Sequence, residues 1–201
     1  RLTGQRRIGH TGTLDPMATG LLVLCLGNAT RLVEYLVGHA KRYSGEIVLG
    51  QTTATCDAEG EPLVTLPVPS LADARLRTLE TQFTGDLRQV PPAFSAIKVG
   101  GRRAYDLARQ GEAPALESRP VVIHRLALRI MAPGRLSVEV DCGAGTYIRS
   151  LARDIGEELG CGAHLGALRR HAAGPFQVGG ALTLEQVEQL SGDGQIERAL
   201  L

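Results

Sequence analysis

A single carboxylate, Asp15, lies in a loop rich in glycine and threonine that directly precedes an apolar run. The loop reads GHTGTLDPMATG (residues 9–20), and LLVLCLG follows it. Pro16 biases Asp15 toward an extended backbone, which would fix the direction of its side chain. An ionised carboxylate can attack a sugar or base carbon without a partner base. The loop therefore indicates either a catalytic acid or an Asx turn with a local structural role.

Neither of the two glycine-rich segments matches a phosphate-binding motif. A P-loop carries a lysine after its last glycine, whereas Leu21 follows Gly20. The segment GAGTYI (143–148) lies between a predicted strand and a predicted helix, as a dinucleotide-binding turn would. Ile148 occupies the place of the third glycine, so that interpretation is weak.

Metal-ligand spacing is also missing from the sequence. His10 and Asp15 share the loop, but no second pair of ligands at helical spacing lies nearby. Cys161 and His164 are three residues apart, yet nothing completes a set of four ligands. We therefore predict no metal site and no cofactor.

Composition favours a soluble, globular, cytoplasmic protein. The 201 residues are 43% hydrophobic and 21% charged, and no apolar run approaches the roughly 20 residues that span a bilayer. The four cysteines lie far apart without a CxxC pair, which favours reduced thiols. The chain begins at Arg1 and reaches the polar loop within nine residues, and we expect an N-terminal segment to be missing.

Charge is unevenly distributed along the chain. Five basic residues and one acid lie between Arg88 and Arg109, whereas four acids and one basic residue lie from Leu182 to Leu201. This segregation is typical of a protein with a basic face for a polyanion. Two solvated helices of opposite charge would give the same pattern.

The elements that must position these residues alternate between strands and helices. We predict strands at 20–27, 41–53, 121–130 and 135–143, the last two forming a hairpin, and helices at 29–38, 70–83 and 145–160. Residues 90–111 predict a strand, a Gly-Gly turn and a helix. Ser70 is the predicted cap of the second helix, and Thr183 with Gln186 has capping-box spacing. The pattern predicts an α+β domain with a mixed, mostly antiparallel sheet flanked by helices.

Several blocks of the sequence closely resemble the TruB type of bacterial tRNA pseudouridine synthases. They are GHTGTLDPMATGLLVLCLGNATRL, KRY (41–43), FTGDLRQVPPAFSAIKVGGRRAYDLARQG (83–111), GTYIRSLARDIGEELGCGAHLGALRR and GPF (174–176). The resemblance implies one pseudouridine synthase catalytic domain over residues 1–201, with an RNA-binding, thumb-like insertion at about 84–112. It also implies isomerisation of uridine to pseudouridine at position 55 in the tRNA T-arm, without a cofactor.

The resemblance assigns a catalytic role to three side chains. Asp15 corresponds to the catalytic aspartate, and Arg149 to the arginine that pairs with it. Tyr43 corresponds to the aromatic residue that stacks on the target uracil and helps to move its proton. A guanidinium would aim the carboxylate with a fork of donors, whereas a lysine could act only as a point charge.

Other side chains are assigned to the substrate by the same resemblance. His10 corresponds to the histidine that holds the T-loop with the target nucleotide out of the stack. Tyr147 lies beside the catalytic arginine, and Leu168 corresponds to the apolar wall of the pocket. In the thumb, Lys98, Arg102 and Arg103 flank Gly100-Gly101 and would contact phosphates.

The sequence departs from the family pattern in three places. A DKPxGxTS-like strand is absent before the loop, Ala54 replaces the usual acid of TDT in TATCDAEG, and no PUA-type RNA-binding domain follows residue 201. We expect the tRNA T-arm stem-loop as partner, and no membrane, no obligate protein partner and a monomeric state.

Three alternatives to this function stay open at the level of sequence. They are a guide-RNA-dependent relative, a non-catalytic RNA-binding or tRNA-folding module, and a glycoside hydrolase. A hydrolase needs a second carboxylate near Asp15, and the sequence reveals none. Whether Asp15 attacks the sugar C1′, attacks the base C6 or acts as a base is also undecided.

Overall fold

The computed structural model describes residues 2–112 and 114–200. Its strands are β1 (Ile8–His10), β2 (Thr19–Gly20), β3 (Leu24–Leu26), β4 (Lys41–Leu49), β5 (Gln51–Thr53), β6 (Pro62–Thr65), β7 (Gly85–Gln89), β8 (Lys98–Val99), β9 (Arg102–Arg103), β10 (Arg119–Ala132), β11 (Arg135–Cys142), β12 (Ala163–Ala173) and β13 (Phe176–Gln177). Its α-helices are α1 (Val33–Leu36), α2 (Asp73–Gln82), α3 (Ala104–Arg109), α4 (Ile148–Glu158) and α5 (Leu184–Gly192). Short 3₁₀ helices cover Gly27–Leu32, Val178–Gly180 and Ile196–Ala199.

One seven-stranded sheet organises these elements. Its order is β13-β12-β4-β11-β10-β7, every neighbouring pair along that path is antiparallel, and β2 pairs in parallel with β12. The predicted hairpin is β10 and β11, which turn at Gly134. The predicted α+β class and the mixed, mostly antiparallel sheet are therefore confirmed.

The two faces of the sheet differ in what covers them. Alternate residues of β11, from Leu136 to Cys142, are buried, and α2 and α4 pack on that face. The residues between them point to the other face, where ion pairs join neighbouring strands. These pairs are Arg42–Asp141, Arg125–Glu139 and Arg135–Glu46. The core thus lies between the sheet and its two main helices.

Helix α4 delivers a functional residue to the sheet because its apolar positions recur at helical spacing. Ile148, Leu151, Ala152, Ile155 and Gly156 are buried, a spacing that places them on one stripe. A Cβ at Gly156 would lie 2.3 Å from the backbone nitrogen of Ala163, so only glycine permits this close crossing. Arg149 therefore sits at the first turn of a helix that is fixed against β12.

Several local predictions differ from the structure. The helix predicted over 29–38 is a 3₁₀ helix followed by the four-residue α1, and the strand predicted over 41–53 is divided into β4 and β5. The strand predicted over 20–27 is limited to Leu24–Leu26, because the preceding residues leave β3 to pair with β12. The second helix begins at Asp73 with Ala72 as N-cap, so the prediction of Ser70 as its cap is wrong. The strand expected after residue 90 is confined to β8, since Pro91 and Pro92 have no N–H for a strand ladder.

Candidate active site

The loop that carries Asp15 connects the two strands of a small antiparallel pair, β1 and β3. The backbone N–H of Thr11 donates to the carbonyl of Val23 at 3.1 Å, which closes the base of the loop. The N–H of Ala18 donates to the carbonyl of Asp15 at 2.9 Å. Pro16 then occupies the second position of a turn, where its fixed φ is favourable. The turn orients the backbone at Asp15.

The far side of the loop is held by β12. Thr19 and Gly20 pair with Arg169 and Arg170, and the N–H of Leu21 donates to the carbonyl of Arg170 at 2.9 Å. Gly20 has a φ of +96°, and a Cβ there would lie 2.2 Å from the Arg170 carbonyl oxygen. Glycine is therefore required at this position for the loop to reach the sheet.

The side chains of Asp15 and Arg149 form a bidentate pair. Arg149 Nε donates to Asp15 Oδ2 at 3.0 Å, and Arg149 Nη2 donates to Asp15 Oδ1 at 2.7 Å. The Arg149 side chain is 6% exposed, whereas that of Asp15 is 23% exposed. The fork fixes the plane of the carboxylate while leaving part of it open to a substrate. The predicted pairing of these two residues is present in the structure.

The remaining donors of Arg149 are also engaged. Nη1 donates to the carbonyl of Thr55 at 3.0 Å, and Nη2 donates to the carbonyl of Phe94 at 3.1 Å. Asp57 Oδ2 lies 3.5 Å from Nη1. All three nitrogens of the guanidinium thus donate, in four hydrogen bonds of which two go to Asp15, and Nη1 also forms the ion pair with Asp57. The arginine is thus locked in one orientation.

Asp57 is a site residue that the sequence analysis missed. Its side chain is 4% exposed, accepts from the Thr55 hydroxyl, and accepts from the Glu59 N–H at 3.1 Å. Cys56, between them, has a φ of +60°, the only positive value of a non-glycine residue in the described part of the chain. This backbone conformation presents Asp57 and the Thr55 carbonyl to Arg149 together. Ala54 closes the same turn, since its N–H donates to the carbonyl of Glu61.

Tyr43 lies on β4, close enough to Asp15 for the charge of the carboxylate to act on its hydroxyl. It is directly opposite Arg170 of β12 in the strand register, so both side chains are on one face of the sheet. Burial raises the pKa of the Tyr43 hydroxyl, the Arg170 guanidinium opposes this rise, and the charge of Asp15 adds to it. The structure therefore brings Tyr43 within electrostatic reach of both Asp15 and Arg170.

Tyr147 is the N-cap residue of α4 and precedes Arg149 by two positions. Burial raises the pKa of its hydroxyl, and the charge of Asp15 contributes in the same direction. Its backbone is held by the buried side chain of Gln89, whose Oε1 accepts from the Tyr147 N–H at 2.8 Å. Gln89 Nε2 donates back to the Tyr147 carbonyl at 3.1 Å. Gln89, which the sequence did not single out, thus anchors the start of this helix.

Two other predicted substrate residues flank the loop. His10 is exposed at the end of β1, and its Nδ1 accepts from the Gly12 N–H at 3.3 Å. Leu168 on β12 is buried opposite Gly45, where a Cβ would lie 3.5 Å from Leu168 Cδ1. Leu168 and Arg170 point to the same face of β12, so the leucine lies next to the tyrosine and arginine described above.

The cations of the proposed thumb lie on a separate hairpin. They are Lys98, Arg102 and Arg103, and all three are exposed on β8 and β9. Arg102 donates to Glu112 at 3.2 Å and to Gln110, and Arg103 donates to the carbonyl of Ala96. Within residues 2–112 and 114–200, none of the three forms a hydrogen bond or ion pair with Asp15. The segment 84–112 itself begins with β7, which belongs to the main sheet.

Two further features are absent from the described residues. Among them, no three His, Cys, Asp or Glu side chains are grouped closely enough to hold a metal ion. No helix in the same residues is both long enough and apolar enough to cross a membrane.

Family models and curated relatives match the whole chain. Residues 1–148 match the model for the TruB family pseudouridylate synthase N-terminal domain, and residues 149–201 match the tRNA pseudouridylate synthase B C-terminal domain. A tRNA pseudouridine synthase B of Arthrobacter sp. strain FB24 is 48% identical over 195 residues, or 94% of this chain and 64% of the relative. That of Xanthomonas campestris pv. campestris strain B100 is 48% identical over 201 residues, or 100% of this chain and 65% of the relative. The chain thus spans slightly less than two thirds of the length of these relatives.

The fold is also similar to that of solved structures. A chain from a Cbf5-Nop10-Gar1 complex superimposes with a TM-score of 0.72 and 25% identity, covering 98% of this chain and 52% of the other. The boundary between the two matched family models falls at residues 148 and 149, inside α4. Segments on both sides of it supply strands to the same sheet, so the boundary does not separate two cores.

Proposed function

Because the chain belongs to the TruB family of pseudouridylate synthases, we propose that it converts uridine to pseudouridine at position 55 in the T-arm of tRNA. Asp15 is the catalytic carboxylate. The observation that carries the proposal is the fork of Arg149, which holds Asp15 at 3.0 and 2.7 Å and leaves it partly exposed. A buried structural ion pair would not need one open carboxylate edge.

The reaction is an isomerisation in which atoms and electrons balance within the substrate. The bond from C1′ to N1 breaks, a bond from C1′ to C5 forms, C5 loses a proton and N1 gains one. No oxidant, reductant or activated donor is consumed, so the proposal includes no cofactor. Attack of Asp15 on the sugar C1′, attack on the base C6 and proton abstraction by Asp15 all require the same aimed carboxylate.

Tyr43 and Leu168 form the site for the flipped base. Extracting a base costs a few kcal/mol, and stacking on an aromatic ring returns about 1–3 kcal/mol. Tyr43 is close enough to Asp15 to feel its charge, so a uracil stacked on the ring would meet the carboxylate. Leu168 supplies the apolar side of this pocket, and Tyr147 lies next to the Arg149 fork.

The exposed side chains bind the rest of the RNA. His10 lies five residues before Asp15 and is exposed, which suits it to hold the T-loop while the target nucleotide is out of the stack. Lys98, Arg102 and Arg103 contact phosphates of the stem-loop. The protein acts on tRNA as a monomer in the cytoplasm, without an obligate protein partner.

Two of the alternative functions are less well supported. The tRNA synthase relatives are 48% identical to this chain, whereas the chain from the Cbf5 complex is 25% identical, which favours tRNA over a guide-RNA-dependent substrate. A glycoside hydrolase needs a second available carboxylate. Asp57 does share Arg149 with Asp15, but its side chain is 4% exposed and hydrogen-bonded, so it cannot reach a sugar.

The proposal is tested by tritium release from an unmodified tRNA transcript that carries C5-labelled uridine. We expect release by the wild-type protein and a loss of at least about 10⁴-fold in Asp15→Asn. The matched control is Asp141→Asn, which removes an acid paired with Arg42 on the open face of the sheet. Binding of the transcript by Asp15→Asn should match that of the control. Equal release by Asp15→Asn and wild type would contradict the catalytic role of Asp15, whereas binding of the transcript without release by the wild type would favour a non-catalytic RNA-binding module.

A further inference from the structure

Arg170 is a buried arginine of β12 that neither the sequence motifs nor the reaction has assigned to a role. It is 2% exposed and lies two residues after Leu168. Within the part of the chain that the structure describes, its guanidinium forms no ion pair with a carboxylate, and it donates to three backbone carbonyl oxygens. A buried cation without an anion is costly, and an apolar residue could fill the same space. The positions of these acceptors therefore indicate the structural role of Arg170.

All three acceptors belong to the loop of Asp15, and they lie on both sides of the acid. Arg170 Nη2 donates to the carbonyl of Gly12 at 3.2 Å, and Nη1 donates to that of Thr13 at 3.3 Å. Nε donates to the carbonyl of Leu21 at 2.7 Å. The single guanidinium of Arg170 thus holds the chain on both sides of Asp15. Gly12 and Thr13 lie three and two residues before the acid, and Leu21 lies six residues after it.

The same guanidinium lies beside Tyr43. The two residues are paired in the register of β4 and β12, which places their Cβ atoms about 4.5–5.5 Å apart on one face. The guanidinium also lowers the pKa of the Tyr43 hydroxyl against the rise that burial causes, which requires the two groups to be near each other. Arg170 is therefore in contact with the loop of one reacting residue and adjacent to the other.

A second buried cation shows that this placement is specific to Arg170. Lys41 is 8% exposed, and its Nζ donates to the carbonyls of Val37 and His39, both at 2.6 Å. Burial and the charge of Arg170 lower the pKa of Lys41. Lys41 thus closes the end of α1, whereas Arg170 donates to loop carbonyls on both sides of Asp15.

We propose that Arg170 is a positioning residue that sets the distance between the Asp15 loop and the Tyr43 ring. The inference rests on the proposed function, because it concerns the geometry of that reaction. Arg149 aims the side chain of Asp15, and Arg170 fixes the backbone from which that side chain extends. A lysine at position 170 would keep the charge, but its single ammonium could not hold both arms of the loop.

The first test compares Arg170→Lys with Arg129→Lys, a variant of an exposed arginine on β10. The single-turnover rate of tRNA conversion at saturating enzyme should fall about 100-fold in Arg170→Lys, since a misplacement near 1 Å costs about that factor. The dissociation constant for tRNA should stay within threefold of wild type, and Arg129→Lys should change neither quantity. A rate within threefold of wild type, or a loss confined to binding, would overturn the proposal.

The second test does not depend on activity or on the lysine variant. The pKa of Tyr43 is measured in the RNA-free protein by NMR of ¹³Cζ-labelled tyrosine, for wild type, Arg170→Gln and Arg129→Gln. Loss of the guanidinium should raise the pKa of Tyr43 in Arg170→Gln alone, and an unchanged value would overturn the proposal. If the wild-type protein released no tritium, the proposed function would fail, while this titration would still decide the position of Arg170.

Discussion

The loop of Asp15 and the thumb both carry charged side chains, but they hold them in different ways. In the loop, Arg149 and Arg170 are buried, and their donors reach partners contributed by distant segments of the chain. In the thumb, Arg102 and Arg103 are exposed, and their hydrogen bonds to other described residues stay within 96–112. Arg109 lies over the ring of Tyr105, 5.5 Å from its centre.

We expect the buried arginines of the loop to determine the geometry of the candidate site, and the exposed cations of the thumb to determine affinity for RNA. A guanidinium whose three nitrogens all donate within the protein is fixed in one orientation and can hold a carboxylate or a loop in place. Exposed cations with local partners can exchange those partners for phosphates, and their contribution is screened by salt. Variants of the loop should therefore change the rate at which bound tRNA is converted, and variants of the thumb should change the affinity for tRNA.

The largest expected effect comes from Arg149→Lys. A lysine cannot make two parallel hydrogen bonds to Asp15 while also reaching Phe94 and Thr55, so the carboxylate loses its direction. We expect the single-turnover rate to fall about 100- to 1,000-fold, about 3–4 kcal/mol, with tRNA binding unchanged. Quench-flow measurement at saturating enzyme provides the rate. Weaker tRNA binding at an unchanged rate would show that Arg149 contributes to RNA affinity, as expected for the thumb, and not to the orientation of Asp15.

The next largest effect is expected on the free energy of unfolding at high pH, and it comes from a cysteine in the sheet beneath the candidate site. Cys142 is paired with Lys41 in the sheet, and burial raises the pKa of its thiol from 9.0 to about 11. The unfolded thiol ionises first, so this contribution is complete below pH 9 and is lost as the pH rises to 11. Wild type should lose about 2–3 kcal/mol more unfolding free energy than Cys142→Ala between pH 8 and 11.

Urea unfolding of the RNA-free protein under reducing conditions measures this difference. No cysteine lies in residues 84–112, so the thumb cannot produce it. Identical pH dependence for wild type and Cys142→Ala would show that the sheet beneath the loop does not carry the effect.

A smaller effect is expected for Asp57→Asn. The amide can still accept from the Glu59 N–H, but it loses the charge 3.5 Å from Arg149 Nη1. One of the supports of the fork weakens while the bidentate contact with Asp15 is kept. We expect a rate about tenfold lower with normal binding, and Asp106→Asn in the thumb is the control. A reduction as large as that of Arg149→Lys would show that the two acids act as one unit.

The smallest change in free energy is expected in the thumb itself. Lys98→Ala with Arg102→Ala should weaken tRNA binding about 3- to 10-fold at moderate salt and reduce the slope of log K against log salt by about two. Conversion of bound tRNA should stay unchanged. Arg77→Ala with Arg129→Ala, two exposed cations outside the thumb, is the matched control. A flat salt response in wild type would contradict phosphate binding by this hairpin.

Local patterns in the sequence predicted much of the fold. The apolar stripe of α4, the hairpin of β10 and β11, and the capping box of Thr183 and Gln186 are all present. These features depend on neighbours within a few residues, so they can be inferred without knowing the fold. Serine is a suitable N-cap residue, but Ser70 is not the cap, because the N-cap position of this helix is Ala72, two residues further along the chain.

The supports of the candidate site could not be inferred in the same way. The pairing of Asp15 with Arg149 was expected from the family resemblance, and no spacing rule predicts it. Asp57 lies in a segment that has the composition of a plain turn, and its role depends on contact with Arg149, which lies on a helix distant in sequence. Arg170 belongs to the LRR motif, but burial alone distinguishes it from Arg169.

The sequence separation of these contacts has a consequence for how the protein acquires activity. Arg149 reaches Asp15 across 134 residues, and Arg170 reaches Gly12 across 158. Contacts of such long range form late in folding, because the chain must first lose the entropy of closing the intervening loop. During synthesis, the loop leaves the ribosome well before either arginine exists. A growing chain therefore carries Asp15 without a fixed orientation, and the carboxylate is held in place only when β12 has been made and joins the sheet.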